Sequence, residues 1–217
     1  MQIFLDTANI DQIKQAARLG IISGVTTNPS LLSKEATADY ESVTKKICAI
    51  VSGPVSVEVL SEDAEAMIAE ARVKASWAPN VNIKIPITAE GLRATRVLSE
   101  ENIKVNMTLC FSANQALLGA LAGATYVSIF IGRLDDAGHD GMQVVEDIIG
   151  ILDNYPELDT QVIAASIRNP LHFTYSAMAG ADIATVPYNV LMQLIQHPLT
   201  DVGIKRFLAD WKSVAKK

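Results

Sequence analysis

The chain alternates. Along its 217 residues, eight short runs of apolar and β-branched residues recur, separated by longer stretches of helical character. The runs are IFLD (3–6), GVTTN (24–28), VSVEV (55–59), VNIKI (81–85), IKVNMTL (103–109), YVSIF (126–130), QVIAAS (161–166) and IATVP (183–187). Amphipathic segments such as DQIKQAARL, YESVTKKICAIV, AEAMIAEARVKASW and GLRATRVLS lie between them. A strand run followed by a helical period, repeated, implies right-handed βαβ units and a parallel sheet. Eight units with no linker rich in Pro, Gly or Ser predict one α/β domain over 1–217, a (β/α)8 TIM barrel near the short end of that fold's range. A doubly wound open sheet is the alternative, but no GxGxxG follows any run.

Three junctions carry the same punctuation. LGIISGVTTNP, LAGATYVSIF and MAGADIATVP each place Gly where a helix ends, then a short linker, then a strand. Glycine there suits the left-handed cap that closes a helix.

Composition narrows the function. With 49% hydrophobic and 19% charged residues the chain can bury a sizeable core. A net charge of −6 argues against general binding of nucleic acid or of anionic membranes, while leaving room for a local basic pocket. Cys48 and Cys110 form no CxxC, so a reducing cytoplasm is expected, with Cys110 a small buried thiol rather than a nucleophile. No secretory signal is expected, because Asp6 interrupts the first apolar residues. The 17-residue tract Ala116 to Gly132 contains Thr125 and Ser128 and reads as a buried helix followed by a buried strand.

Buried parallel strands should be almost wholly apolar. Here polar residues stand in seven of eight, mostly late: Asp6, then Thr26, Thr27 and Asn28, then Glu58, Lys84, Asn106 and Thr108, Ser128 and Ser166. In a barrel, chemistry sits at that end. A lysine in a strand is ordinarily a snorkelling or edge residue. Lys84 lies in a central run with Asp6 and Glu58 on elements that can converge on it, and a desolvated amine is a usable nucleophile toward a carbonyl. Asp6 and Glu58 are candidate proton-transfer groups, and Asn28, Asn106, Thr108 and Ser128 candidate hydrogen-bonding groups for a polyhydroxylated substrate. Arg133, Ser166 and Arg168 follow the sixth and seventh runs, where barrels commonly hold phosphate, although either arginine could serve as a surface ion pair. His139, His172 and His197 show no metal-binding spacing, so no metal is expected.

These motifs are familiar together. FLDTANI (4–10), GVTTNPSLL (24–32), VSVEV, IKIP (83–86), NMTLCFS (106–112), YVSIFIGRLDD (126–136) and ASIRNP (165–170) resemble the transaldolase family, most closely its short form, which includes the fructose-6-phosphate aldolases. The likeness runs from Ile3 to about Trp211. It implies that Lys84 forms a Schiff base with a ketose phosphate and that Asp6 is the acid/base of carbon–carbon cleavage. It further implies that Glu58 and Thr108 hold a proton-shuttling water, and that Asn28, Asn106 and Ser128 bind the dihydroxyacetone unit. Arg133, Ser166 and Arg168 would bind the phosphate. The aldolases carry Gln where this chain has Glu58 and Tyr where it has Phe130, so both positions match the transaldolase side. The implied reaction is cofactor-free transfer of dihydroxyacetone from sedoheptulose 7-phosphate or fructose 6-phosphate to glyceraldehyde 3-phosphate or erythrose 4-phosphate, within the pentose phosphate pathway. The alternatives are an aldolase releasing free dihydroxyacetone and a non-catalytic sugar-phosphate-binding barrel.

After the eighth unit the segment 200–217 remains, with Phe207, Leu208, Trp211 and Val214 on one helical face and Thr200 and Asp201 as a helix start. That stripe could fold back on its own barrel. The resemblance implies instead that it joins neighbouring subunits into a homodecamer of two five-membered rings.

Overall fold

A computed structural model of the chain describes residues 1–35 and 39–214. Eight strands close into a parallel barrel in sequence order: β1 (Gln2–Asp6), β2 (Gly24–Thr26), β3 (Val55–Glu58), β4 (Val81–Pro86), β5 (Val105–Cys110), β6 (Tyr126–Phe130), β7 (Gln161–Ala165) and β8 (Ile183–Val186). The first half of the outer layer is α1 (Ile10–Ala17), α2 (Pro29–Leu32), α3 (Tyr40–Ile50), α4 (Ala64–Ala75) and α5 (Ala89–Glu100). The second half is α6 (Ala113–Leu121), α7 (Ile131–Asp136), α8 (Gly141–Leu152), α9 (Pro170–Ala179), α10 (Tyr188–Leu194) and α11 (Pro198–Val214). The closed barrel is the expected fold, and the open sheet is excluded by the β1–β8 pairing.

Strand alternation divides the core in two. Outward residues such as Ile83, Ile85 and Val105 pack against Met67, Ile68, Ala71, Ala94 and Leu98 of α4 and α5. Phe4, Tyr126, Ile163, Ala165 and Ile183 form a separate cluster, with Phe130 against it. These fill the barrel below the polar strand ends, so the interior is a plug and not a pore. Gly24 makes room for it: a Cβ there would stand 2.7 Å from both Phe4 Cε1 and the Pro54 carbonyl oxygen.

The punctuating glycines do what the sequence asks of them. Gly20, Gly123 and Gly180 have φ of 72°, 92° and 91°, a region open mainly to glycine. The tract from Ala116 to Gly132 divides into the end of α6, the buried strand β6 and the start of α7. The strand is buried as expected, but the helix is not fully so, because Leu118 and Leu121 face outward and are exposed. Among the described residues no helix is long and apolar enough to cross a membrane.

Two boundaries differ from expectation. Cys110 is the last residue of β5 rather than a position after it, and burial pushes its thiol up to about 12, so it is inert. β5 also carries a bulge between Met107 and Cys110, with Leu109 at φ 59°, which no residue type there announces. The last helix begins at Pro198, not at Thr200 or Asp201, because proline suits the first helical position. That helix does not fold back: none of its described residues is buried, and Leu199, Phe207, Trp211 and Val214 are all exposed. Residues 215–217 of the segment lie outside the described residues.

Candidate active site

The carboxyl ends of the strands surround a cleft of about 190 Å³ lined by Asp6, Thr26, Asn28, Lys84, Ser128, Phe130, Arg133, Ser166, Arg168 and Thr185, among others. Lys84 is at its floor with its side chain only 7% exposed, and its Nζ stands 3.1 Å from Glu58 Oε2. The same nitrogen donates to the Thr27 carbonyl at 3.2 Å. Register explains the first contact, since Glu58 and Lys84 are directly paired across β3 and β4 and so share the inner face.

Asp6 enters from β1, half-buried by area but densely enclosed by protein. Thr26 Oγ1 donates to its Oδ1 at 2.8 Å and lies 2.6 Å from Thr185 Oγ1. Burial pushes the Asp6 carboxyl above the ordinary aspartate range, against the opposing pull of Lys84, Thr26, Arg133 and Arg168. Two carboxylates therefore flank one amine in different settings, Glu58 ion-paired to it and Asp6 desolvated near it. That is the arrangement a stepwise proton transfer needs.

The polar wall is a short chain of hydrogen bonds. Ser128 Oγ donates to Asn106 Oδ1 at 2.7 Å, and Asn106 Nδ2 donates to Ser56 Oγ at 3.1 Å. Asn106 is buried and reaches the cleft only through Ser128. Thr108 also sits behind the surface, its buried hydroxyl without a protein partner. Asn28 caps α2, its Oδ1 accepting from Leu31 N–H at 2.9 Å, and it also lines the cleft. Pro29 after it fits the first helical position.

Opposite lies the cationic rim. Arg133, on the first turn of α7, stacks its guanidinium 4.9 Å from the Phe130 ring, which Phe111 holds edge-on at 5.7 Å. Ser166 adopts φ 57°, turning the chain after β7 toward α7. Gly132 permits that approach: its N–H donates to the Ser166 carbonyl at 3.1 Å, and a Cβ there would lie 2.2 Å from the same oxygen and 2.5 Å from Arg168 Cγ. Arg168 Nη2 donates to the exposed Asp136 at 2.9 Å, so the surface ion pair and the position at the cleft both hold. Its backbone N–H donates to His172 Nδ1 at 3.3 Å, and His172 Nε2 pairs with Asp135 at 2.9 Å. His172 is thus a brace for the loop. Among the described residues no group of three or more His, Cys, Asp or Glu side chains could hold a metal.

All the candidates therefore gather at one end of the barrel, with Glu58, Asn106 and Thr108 in its wall rather than on the cleft surface. Thr26, which the sequence marks only as polar, and Thr185, which it does not mark at all, lie together beside Asp6. Thr185 is the polar residue of the one strand left out of the seven, and a threonine in a strand carries little signal because it is a good strand former.

Comparison with known proteins gives the family of the chain. The family model described as Transaldolase/Fructose-6-phosphate aldolase matches residues 3–217. A probable transaldolase of Dehalococcoides mccartyi is 62% identical over 217 residues, all of both chains. Probable transaldolases of Thermoanaerobacter sp. and Desulforudis audaxviator are 58% and 60% identical, again over the whole of both chains. Among solved structures, thiamine phosphate pyrophosphorylase from Pyrococcus furiosus matches with a TM-score of 0.61 at 13% identity, covering 89% of this chain and 93% of that one. At that identity the likeness speaks to the barrel alone.

Proposed function

Because the chain belongs to the transaldolase/fructose-6-phosphate aldolase family, we propose that it transfers a dihydroxyacetone unit between sugar phosphates through a Schiff base on Lys84. The observation that carries this reading is a buried amine at the cleft floor, paired with one carboxylate and close to a second, with two arginines at the rim. Glu58 takes a proton from the Lys84 ammonium. The free amine then attacks the ketose C2 carbonyl, and loss of water gives the iminium. Asp6 removes the C4 hydroxyl proton as the C3–C4 bond breaks, and the bonding electrons pass into the iminium to give an enamine. The raised proton affinity of Asp6 makes it a stronger base than an ordinary aspartate. The aldehyde leaves, an aldose phosphate enters, and the steps reverse with Asp6 returning its proton. Glu58 and Thr108 flank the position for the water that is lost and regained, which fits the unpartnered Thr108 hydroxyl. Asn28, Ser128 and, through it, Asn106 bind the dihydroxyacetone hydroxyls. Phosphate is bound by Arg133, Ser166 and Arg168. The chemistry calls on no cofactor, and the donors and acceptors are sedoheptulose 7-phosphate, fructose 6-phosphate, glyceraldehyde 3-phosphate and erythrose 4-phosphate of the pentose phosphate pathway, in the cytoplasm.

Transfer is favoured over simple cleavage by Phe130. Its ring, held by Phe111 and Arg133, has no hydroxyl to orient a water that would protonate the enamine. The enamine then persists until an aldehyde arrives. Product analysis with fructose 6-phosphate tests this. Free dihydroxyacetone should be a minor product, and added erythrose 4-phosphate should yield sedoheptulose 7-phosphate. Release of dihydroxyacetone as fast as transfer would make the protein an aldolase.

Two further expectations attach to this reading. Arg133→Ala or Arg168→Ala should weaken phosphorylated substrates by about 1.5–3 kcal/mol, the range for a hydrogen bond to a charged group. Unphosphorylated dihydroxyacetone should be much less affected, and equal losses on both would mark the arginines as structural. The exposed apolar stripe on α11 is the contact that assembles a homodecamer of two five-membered rings. Deleting 200–217 should give smaller species by light scattering, and an unchanged oligomer would exclude the segment from assembly.

A further inference from the structure

The inner end of β3 lacks a strand neighbour on one side. Even-numbered residues of β3 point their backbone groups at β2, as the Thr27 N–H to Ser56 carbonyl bond at 3.2 Å shows. In a parallel ladder the next rungs would run from the Glu58 N–H to the Thr27 carbonyl, and from the residue 29 N–H to the Glu58 carbonyl. Neither forms. Residue 29 is proline and has no N–H to give, and the Thr27 carbonyl accepts from Lys84 Nζ instead.

Two helix side chains take over the abandoned rungs. The Glu58 N–H donates to the Tyr40 hydroxyl at 2.8 Å, and Lys74 Nζ donates to the Glu58 carbonyl at 2.6 Å. Lys74 is buried, pairs with Glu70 at 2.7 Å, and sits 4.6 Å from the centre of the Tyr40 ring. Trp77 packs edge-on against Tyr40 at 5.5 Å. Glu70 is fixed in turn by the Leu60 and Ser61 N–H groups, at 2.9 Å to its Oε2. A buried ammonium is costly unless fully paired, and Glu70, the Glu58 carbonyl and the Tyr40 ring meet this one.

We infer that Tyr40 and Lys74 are positioning residues for the reaction: by capping both backbone groups of Glu58 they fix its carboxylate against Lys84 and leave the Thr27 carbonyl free to hold the Lys84 amine. Neither lines the cleft. The inference rests on the Schiff-base reading, and its effect falls on the steps that form and hydrolyse the imine. Phosphate binding, across the barrel, is independent of it.

The test compares Tyr40→Phe and Lys74→Met with the unaltered protein. Phe keeps the ring over Lys74 and removes only the hydroxyl, so it is the gentler change, and thermal melting checks that each variant folds. Single-turnover borohydride trapping with fructose 6-phosphate reads the rate of imine formation. Trapping should slow by about 10- to 100-fold in both, the scale for a misplacement near 1 Å. The KM for erythrose 4-phosphate should stay within about twofold while kcat falls. Folded variants that trap at the wild-type rate would overturn the inference. So would a KM that rises in step with the loss of kcat. Failure of the unaltered protein to be trapped at Lys84 would strike the Schiff-base reading itself, a separate outcome.

Discussion

Lys84→Met should abolish transfer, lowering kcat by roughly 10⁴-fold or more, since among the described residues no other amine lines the cleft to form the covalent intermediate. Lys74 is the other buried lysine among the described residues, and Glu70 and the Glu58 carbonyl occupy it on the far side of β3. Methionine approximates the lysine volume, so packing in β4 should survive. The change leaves Glu58 without its ion-pair partner, and breaking a fully buried pair costs about 3–5 kcal/mol. Glu58 keeps 16% of its side chain exposed, so the loss should fall below that range. Pairing the substitution with Glu58→Gln should recover the melting temperature and leave activity absent. Steady-state transfer and thermal melting on both variants separate chemistry from folding. Retained transfer in a folded Lys84→Met protein would remove the lysine from the mechanism.

Asp6→Asn should divide the reaction. Asparagine can accept the Thr26 hydrogen bond but cannot take the C4 hydroxyl proton, so cleavage and transfer should drop about 10²- to 10⁴-fold. Imine formation, which runs through Glu58, should persist, and trapping should then capture the unbroken six-carbon sugar on Lys84. The same residue sets a pH dependence. Its folded pKa lies above the ordinary value of 3.8 because burial penalises the charged form. Native protein therefore holds the proton more tightly than unfolded chain, and the stability this gives at low pH is lost as pH rises through the raised value. Two consequences follow. The acid limb of wild-type kcat should lie above the ordinary aspartate range, and at neutral pH Asp6→Asn should melt higher than the wild type. A lower melting temperature at neutral pH would mean that attraction to Lys84 outweighs burial.

The barrel was legible because its signals are local. Eight apolar runs, three capping glycines and the absence of linkers each follow from residue type within a few positions. Lys84, Glu58 and Asp6 stood out because a charge inside an apolar run is costly unless something meets it. Other parts leave no such mark. Thr185 and Thr26 look like ordinary strand residues, and the Thr27 carbonyl is backbone common to any sequence. Tyr40 and Lys74 sit on amphipathic helices where both residue types are routine, and only the termination of β2 at Thr26 shows what they are for. The bulge at Leu109 shows only in the register of β5 against β6, a property of two strands together. The outward stripe on α11 was visible as a stripe, but where it faces depends on packing that its own residues do not encode.

The central claim is that a single buried amine carries the substrate. Incubation with fructose 6-phosphate, reduction with borohydride and peptide mass analysis test it most directly. The account predicts one stable adduct, of three or six carbons, on the peptide containing Lys84 and on no other lysine. An adduct elsewhere, or no adduct from fully active protein, would contradict it.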